Sequence, residues 1–128
     1  MARAAPLVAE ALGWVGHPQI RNRGTVGGSL AHADPAAELP AVLLALGGRC
    51  LIVGPGRERW VAADALYTGL FSTCCEPDEL LAEVAIPVAG ERAGAAFEEA
   101  ARRHGDFAMA GVAARVELDE AGRIGTVR

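Results

Sequence analysis

The feature that most constrains this chain is the stretch from Asp34 to Val61, where a helix signal runs directly into a hairpin signal. Asp34 is a good N-cap, and Pro35 suits the first helical position because the first turn leaves that N–H unpaired anyway. Leu39, Val42, Leu43 and Leu46 then fall at i, i+3, i+4 and i+7, which is one continuous apolar stripe. Pro40 is early enough in the helix to be tolerated or to kink it locally, and Gly47-Gly48 ends it. Two strand-like runs follow, Arg49 to Val53 and Arg59 to Val61, around the turn signal Gly54-Pro55-Gly56.

The flanks agree with a mixed architecture. Pro6 to Trp14 carries Leu7, Val8, Leu12 and Val15 at spacings that fit a short amphipathic helix, broken by Gly13, Gly16 and Pro18. Asp64 can cap a short helix running through Leu66, Tyr67 and Leu70. Leu80, Ala82, Val84 and Ile86 alternate with Leu81, Glu83 and Ala85, predicting a strand that stops at Pro87. Residues 89–94 are small and polar and mark a subdomain boundary, dividing the chain into 1–88 and 89–128. Ala95 to Ala101 fits helix or strand equally. Ala110, Val112, Ala114, Val116 and Leu118 alternate as a strand, Asp119 to Gly122 is a turn, and Ile124 to Arg128 begins a returning strand. Hairpins in preference to β-α-β alternation make α+β the expected class.

Composition narrows the function. The 128 residues have room for one ordinary domain, 52% hydrophobic and 22% charged, which reads as globular. Much of the apolar share is Ala and only 5% is aromatic, so the core is modest. Net charge is -4, and all 12 basic residues are Arg, scattered without a basic run, which argues against nucleic acid as a partner. No apolar run approaches the ~20 residues that span a bilayer, and the N-terminus lacks a signal-peptide pattern. Cys50, Cys74 and Cys75 make a poor disulfide framework and point to a reducing, cytoplasmic setting. They are also too few for an iron–sulfur cluster, and they have no zinc-ligand spacing. Cys74 and Cys75 read as packing thiols, His17 and His104 as turn residues, and Trp14 and Trp60 as core or interface anchors.

The residues best suited to chemistry lie in Arg21-Asn22-Arg23-Gly24-Thr25-Val26-Gly27-Gly28-Ser29-Leu30. Adjacent glycines let a turn bring its N–H groups close to an anion, and Thr25 and Ser29 add hydroxyls; a pyrophosphate needs that combination. A plain Gly-Gly turn is the simpler alternative. His32, Asp34 and Glu38 follow and could reach a sugar or ring edge, although Asp34 and Glu38 also suit a helix N-terminus with no ligand.

Ile20 to Pro40 as a whole resembles the second flavin-binding segment of the FAD-binding (medium) subunit of molybdenum hydroxylases, the carbon monoxide and xanthine dehydrogenase family. Tyr67-Thr68-Gly69-Leu70-Phe71 is similar to that family's aromatic-rich connector, and Glu79 to Pro87 to the strand closing its FAD domain. Phe97 to Ala108 resembles the start of its C-terminal domain. The resemblance implies a partial FAD-binding type 2 (PCMH-like) domain, with an antiparallel sheet and flanking helices, followed by the start of the α+β C-terminal domain. It implies that Thr25, Gly27, Gly28 and Ser29 cradle the FAD pyrophosphate and that His32 and Asp34 lie along the cofactor. Glu38 would hydrogen-bond the polar middle of FAD, Leu81 would pack on one of its rings, and Arg103 and Asp106 would organise a loop near the flavin.

The partners it implies are a molybdopterin-binding large subunit and a 2Fe-2S small subunit, with electrons passing from the iron–sulfur clusters through FAD to an external acceptor. The family's N-terminal subdomain, with another Gly-rich phosphate loop, would precede Met1, so the chain reads as truncated at both ends. A remnant scaffold that no longer holds FAD is the rival reading. Another nucleotide-binding enzyme that uses the Gly-Gly turn for a different phosphate is a third.

Overall fold

The computed structural model describes residues 4–128, leaving Met1 to Arg3, part of the N-terminal reading above, outside the description. Among the described residues, five short helices and eight strands follow one another: α1 Pro6–Ala11, α2 Pro18–Arg21, α3 Val26–His32, α4 Glu38–Leu46, β1 Arg49–Gly54, β2 Arg57–Ala62, α5 Ala63–Leu66, β3 Tyr67–Gly69, β4 Ser72–Thr73, β5 Leu80–Ala85, β6 Ala93–Ala100, β7 Ala110–Leu118 and β8 Ile124–Val127. Every pairing is antiparallel, in sheets ordered β2-β1-β5, β3-β4 and β6-β7-β8. The α+β expectation holds.

Helix α4 organises the molecule by serving two cores at once. Leu39 and Leu43 join Leu30, Cys50, Ile52, Ala63 and Leu66 over the β2-β1-β5 sheet. Val42, Ala45 and Leu46 join Leu7, Val8, Ala11 and Phe97 between α1 and the β6-β7-β8 sheet. The stripe expected to face one core is therefore split into two i,i+4 rows, each against a different sheet. Each fully buried Leu or Val contributes about 1.5–3 kcal/mol, and the largest sealed side chains, including Leu7, Leu30, Val42, Leu43, Ile52 and Leu66, belong to these two clusters. The left-handed Gly47 (φ 62°) ends the helix as expected, with its N–H bonded to Leu44 O and the N–H of Gly48 to Leu43 O.

The start of α4 differs from expectation. Its N-cap is Ala37, and the helix begins at Glu38. Asp34 caps the preceding turn instead: its Oδ1 accepts the Ala36 N–H at 2.8 Å, and its carbonyl accepts the Ala37 N–H at 3.1 Å. An Asx turn satisfies an Asp as well as an N-cap does, and the helix starts one turn later. Pro40 then falls in the first turn, where a missing N–H costs nothing.

Two further elements depart from the sequence pattern. The helix expected through Leu70 stops at Leu66, and Tyr67–Gly69 pairs with Ser72–Thr73 as a small hairpin. In β5, Leu51 pairs with Glu83 but Ile52 pairs with Leu81, so Ala82 is an extra residue in the ladder. That bulge inverts the side-chain parity. Leu81 packs on the core beside Val84, while Leu80 is turned out and 70% exposed. The ambiguous segment 95–101 is strand, with Phe97 opposite Ala113 on the helix-covered face. The alternating apolar set of β7 lies on the other face, where Val112, Leu118, Ile124 and Val127 are exposed.

Candidate functional site

The Gly27-Gly28 pair is helical, in the first turn of α3, rather than in an open turn. Thr25 is the N-cap, and its Oγ1 accepts the Gly28 N–H at 3.0 Å. A Cβ on residue 28 would sit 2.8 Å from that oxygen, so only glycine leaves room for the cap. A Cβ on Gly27 would lie 3.7 Å from Leu81 Cδ2, which places α3 directly on the bulged strand. Gly27 and Leu81, distant in sequence, thus line one junction. Thr25 and Gly28 are exposed beside it, and Ser29 is half-buried one residue further along the helix.

The C-terminal end of α3 turns sharply through Ala33, a non-glycine residue in the left-handed region (φ 54°). The next such residue is Phe71 (φ 53°), whose N–H donates to Ala33 O at 3.0 Å. Two left-handed non-glycine residues joined by one hydrogen bond mark a locally strained corner, held by the packing around it. The corner sets the ring of Phe71 against His32, with centroids 5.3 Å apart and a 51° tilt, both exposed. Sequence reasoning named His32 but not the pairing with Phe71, because a hairpin contact across some 40 residues has no local signal.

On the far side of α4, Gly16 (φ 48°) and Gly105 (φ 87°) meet: a Cβ on Gly105 would stand 3.2 Å from the Gly16 backbone. This contact brings the 101–109 loop onto the α1–α2 connection and sets His104 against Trp14, ring centroids 5.4 Å apart. His104, read as a simple turn residue, therefore has an aromatic partner. The Asp106 N–H donates to the Arg103 carbonyl, so those two residues close the loop on each other. Arg21 holds the α1–α2 connection from the other side through Leu12 O and Val15 O.

The strand that precedes this loop carries Glu99, which sequence reasoning did not single out. It is two residues beyond the buried Phe97 on β6 and shares its helix-facing side. Both carboxylate oxygens are sealed from solvent, with no hydrogen-bond partner among the described residues. Desolvation first, and then the nearby Glu38 carboxylate, push its pKa up, while His104 opposes the rise. Glu38 itself stands in the first turn of α4.

The expected residues therefore do not all come together. Thr25, Gly27, Gly28, Ser29 and Leu81 form one group, whereas Glu38 stands apart from it in the first turn of α4. Asp34 lies in the turn between α3 and α4, where its side chain serves the Asx turn. A glycine pair at a helix start with no side chain in the way fits the anionic part of a cofactor, and the orphaned carboxyl oxygens of Glu99 on β6 are the other unpartnered polar atoms near the expected residues. No group of three or more His, Cys, Asp or Glu side chains suited to a metal occurs among the described residues. Among them, no helix is long and apolar enough to cross a membrane.

Comparison with known proteins agrees with this geometry. The model of a family described as the FAD binding domain in molybdopterin dehydrogenase matches residues 1–89. The 6-hydroxypseudooxynicotine dehydrogenase complex subunit alpha of Paenarthrobacter nicotinovorans is 49% identical over 123 residues, 96% of this chain and 42% of that protein. The carbon monoxide dehydrogenase medium chain of Hydrogenophaga pseudoflava is 39% identical over 108 residues, 84% of this chain and 38% of that one. A solved structure of carbon monoxide dehydrogenase from the same organism superposes with a TM-score of 0.93 at 35% identity, covering 99% of this chain and 44% of its counterpart. The chain thus spans less than half the length of these relatives. With a family model over more than half of its residues and a matching fold, the chain belongs to the FAD-binding domains of molybdopterin dehydrogenases.

Proposed function

We propose that this chain is the FAD-holding part of the flavoprotein subunit of a molybdopterin-dependent dehydrogenase. In that reading it works in the cytoplasm beside a molybdopterin-binding large subunit and a 2Fe-2S small subunit, and relays electrons from the clusters to an external acceptor. The observation that carries it is the start of α3. Thr25 caps a helix whose first turn has two glycines, and Gly27 rests on Leu81 of the strand beside it.

When bound, FAD itself supplies the redox chemistry. The chain's own residues bind and orient it. Gly27 would offer its N–H and Thr25 and Ser29 their hydroxyls to the pyrophosphate, while Gly28, whose N–H is held by the Thr25 cap, keeps the approach free of a side chain; the positive end of the helix dipole helps. His32 and Asp34 lie along the cofactor, and Glu38 accepts from hydroxyls of its middle section. Leu81 covers a ring face and excludes water. The division into an FAD-binding part, 1–88, and the start of a C-terminal flavoprotein domain, 89–128, is part of the proposal; the family model spanning residues 1–89 supports it.

Titrating FAD with the purified chain and following flavin fluorescence tests the reading. Saturable quenching that weakens in Gly28→Val, which crowds the Thr25 cap, is the expected result. Fluorescence that stays unchanged at saturating protein would overturn binding by this chain.

A further inference from the structure

The β2-β1-β5 sheet buries one face and leaves the other open. Cys50 and Ile52 of β1 enter the core, so Leu51 and Val53 point the opposite way. The register carries that outer face across the sheet: Leu51 stands between Trp60 and Glu83, and Val53 between Glu58 and Leu80. None of the four apolar residues belongs to either core cluster, and Trp60 and Leu80 are exposed. Arg49, the one cation on this face among the described residues, lies over the Trp60 ring at 4.6 Å from its centroid. Glu58 and Glu83 are exposed carboxylates without an ion pair among the described residues.

Building on the reading above that this chain is one subunit of a larger dehydrogenase, we propose that this face docks a partner subunit whose contact surface has an apolar centre flanked by two cationic side chains. Trp60 is the anchor, because a large ring left partly in water gains most from being covered, and Trp is enriched among the residues that dominate binding energy. Charge selects the occupant. With strands about 4.8 Å apart and about 3.3 Å per residue along each, Glu58 and Glu83 stand roughly 12 Å from each other across Leu51 and Val53. A second copy of this chain, packed face to face, would bring the carboxylates of both copies together, with a single Arg49 per copy, itself stacked on Trp60, to offset them. The net charge of -4 adds to that repulsion. Nucleic acid and an anionic membrane surface meet the same obstacle. A partner with two Lys or Arg side chains at that spacing pairs with both carboxylates while its apolar centre covers Trp60.

Isothermal titration calorimetry of this chain with the purified molybdopterin-binding large subunit and 2Fe-2S small subunit tests the surface. Trp60→Ala should weaken the complex by about 30-fold or more, the loss expected when an anchoring Trp is truncated. The double variant Glu58→Lys/Glu83→Lys should weaken it roughly tenfold at low salt, and the gap should narrow as salt rises. Leu118→Ser, an apolar change on the β6-β7-β8 sheet, should bind as the wild type does. Hydroxyl-radical footprinting read by mass spectrometry supplies a readout that needs no variant: oxidation of Trp60 should fall when the partners are added. Trp60 as oxidisable in the complex as in the free chain, or Trp60→Ala and the double variant binding like the wild type, would overturn the docking face and leave the subunit reading standing. Self-association of this chain that Trp60→Ala abolishes would overturn the choice of occupant. A wild type that binds neither subunit would overturn both readings.

Discussion

Replacing Phe97 with Ala tests whether the two sheets share one cooperative unit. Phe97 is 3% exposed and packs with Leu7, Val8, Ala11, Val42, Ala45 and Leu46, so its ring joins β6 to helices that precede the proposed boundary at residue 88. Truncating a buried Phe costs about 3–5 kcal/mol, from lost transfer energy and from the cavity left behind. With an unfolding entropy of about 2.1 cal/mol/K per residue, a chain of 128 residues loses roughly 0.27 kcal/mol per degree near the midpoint. The variant should therefore melt about 11–19 °C lower, in a single transition. Differential scanning calorimetry measures the shift, and amide exchange locates it. Faster exchange should appear in α4 as well as in β6 and β7, because Val42 and Leu46 lose the same neighbour. A variant in which only residues 93–127 lose protection, while α4 and β1 keep theirs, would refute the shared core and make 89–128 an independent unit.

Two further outcomes follow from the local chemistry. Thr25→Ala removes the oxygen that accepts the Gly28 N–H and should cost about 1 kcal/mol in denaturant unfolding, whereas Thr25→Ser should keep most of it; equal losses would remove the capping role. Glu79 accepts the Glu76 N–H at 2.9 Å and the Arg57 Nε at 3.0 Å, with Arg59 on the same oxygen, and these contacts hold its pKa below the usual carboxylate range. Its stabilisation is thus fully present above the ordinary carboxylate pKa and is lost as pH falls through the depressed value. Glu79→Gln should be less stable than the wild type at neutral pH, the gap closing in acid; a gap of constant size from neutral to acid pH would refute the linkage.

The site was partly legible in the sequence. Thr25, Gly27 and Gly28 stand next to one another, so their joint role has a local signature, although the glycines start a helix where an open turn was expected. Leu81 was reached through the resemblance, and it is the bulge at Ala82 that turns it inward beside Gly27. Glu99, and the pairing of Phe71 with His32, had no such signature. Both depend on which residues distant in the chain come together, and the alternating pattern around Glu99 fits a solvated face as well as a buried one.

By itself the sequence determined the local elements: the glycine-terminated α4, the β1-β2 hairpin and the β7-β8 turn all follow from periodicity and turn chemistry, which act over a few residues. Tertiary structure decided the rest. It split the α4 stripe between two sheets, inverted the face of β5 with one extra residue, and sealed the Glu99 carboxyl oxygens from water. The physical reason is the same in each case: burial and charge are properties of a neighbourhood, and a neighbourhood exists only once the chain has closed on itself.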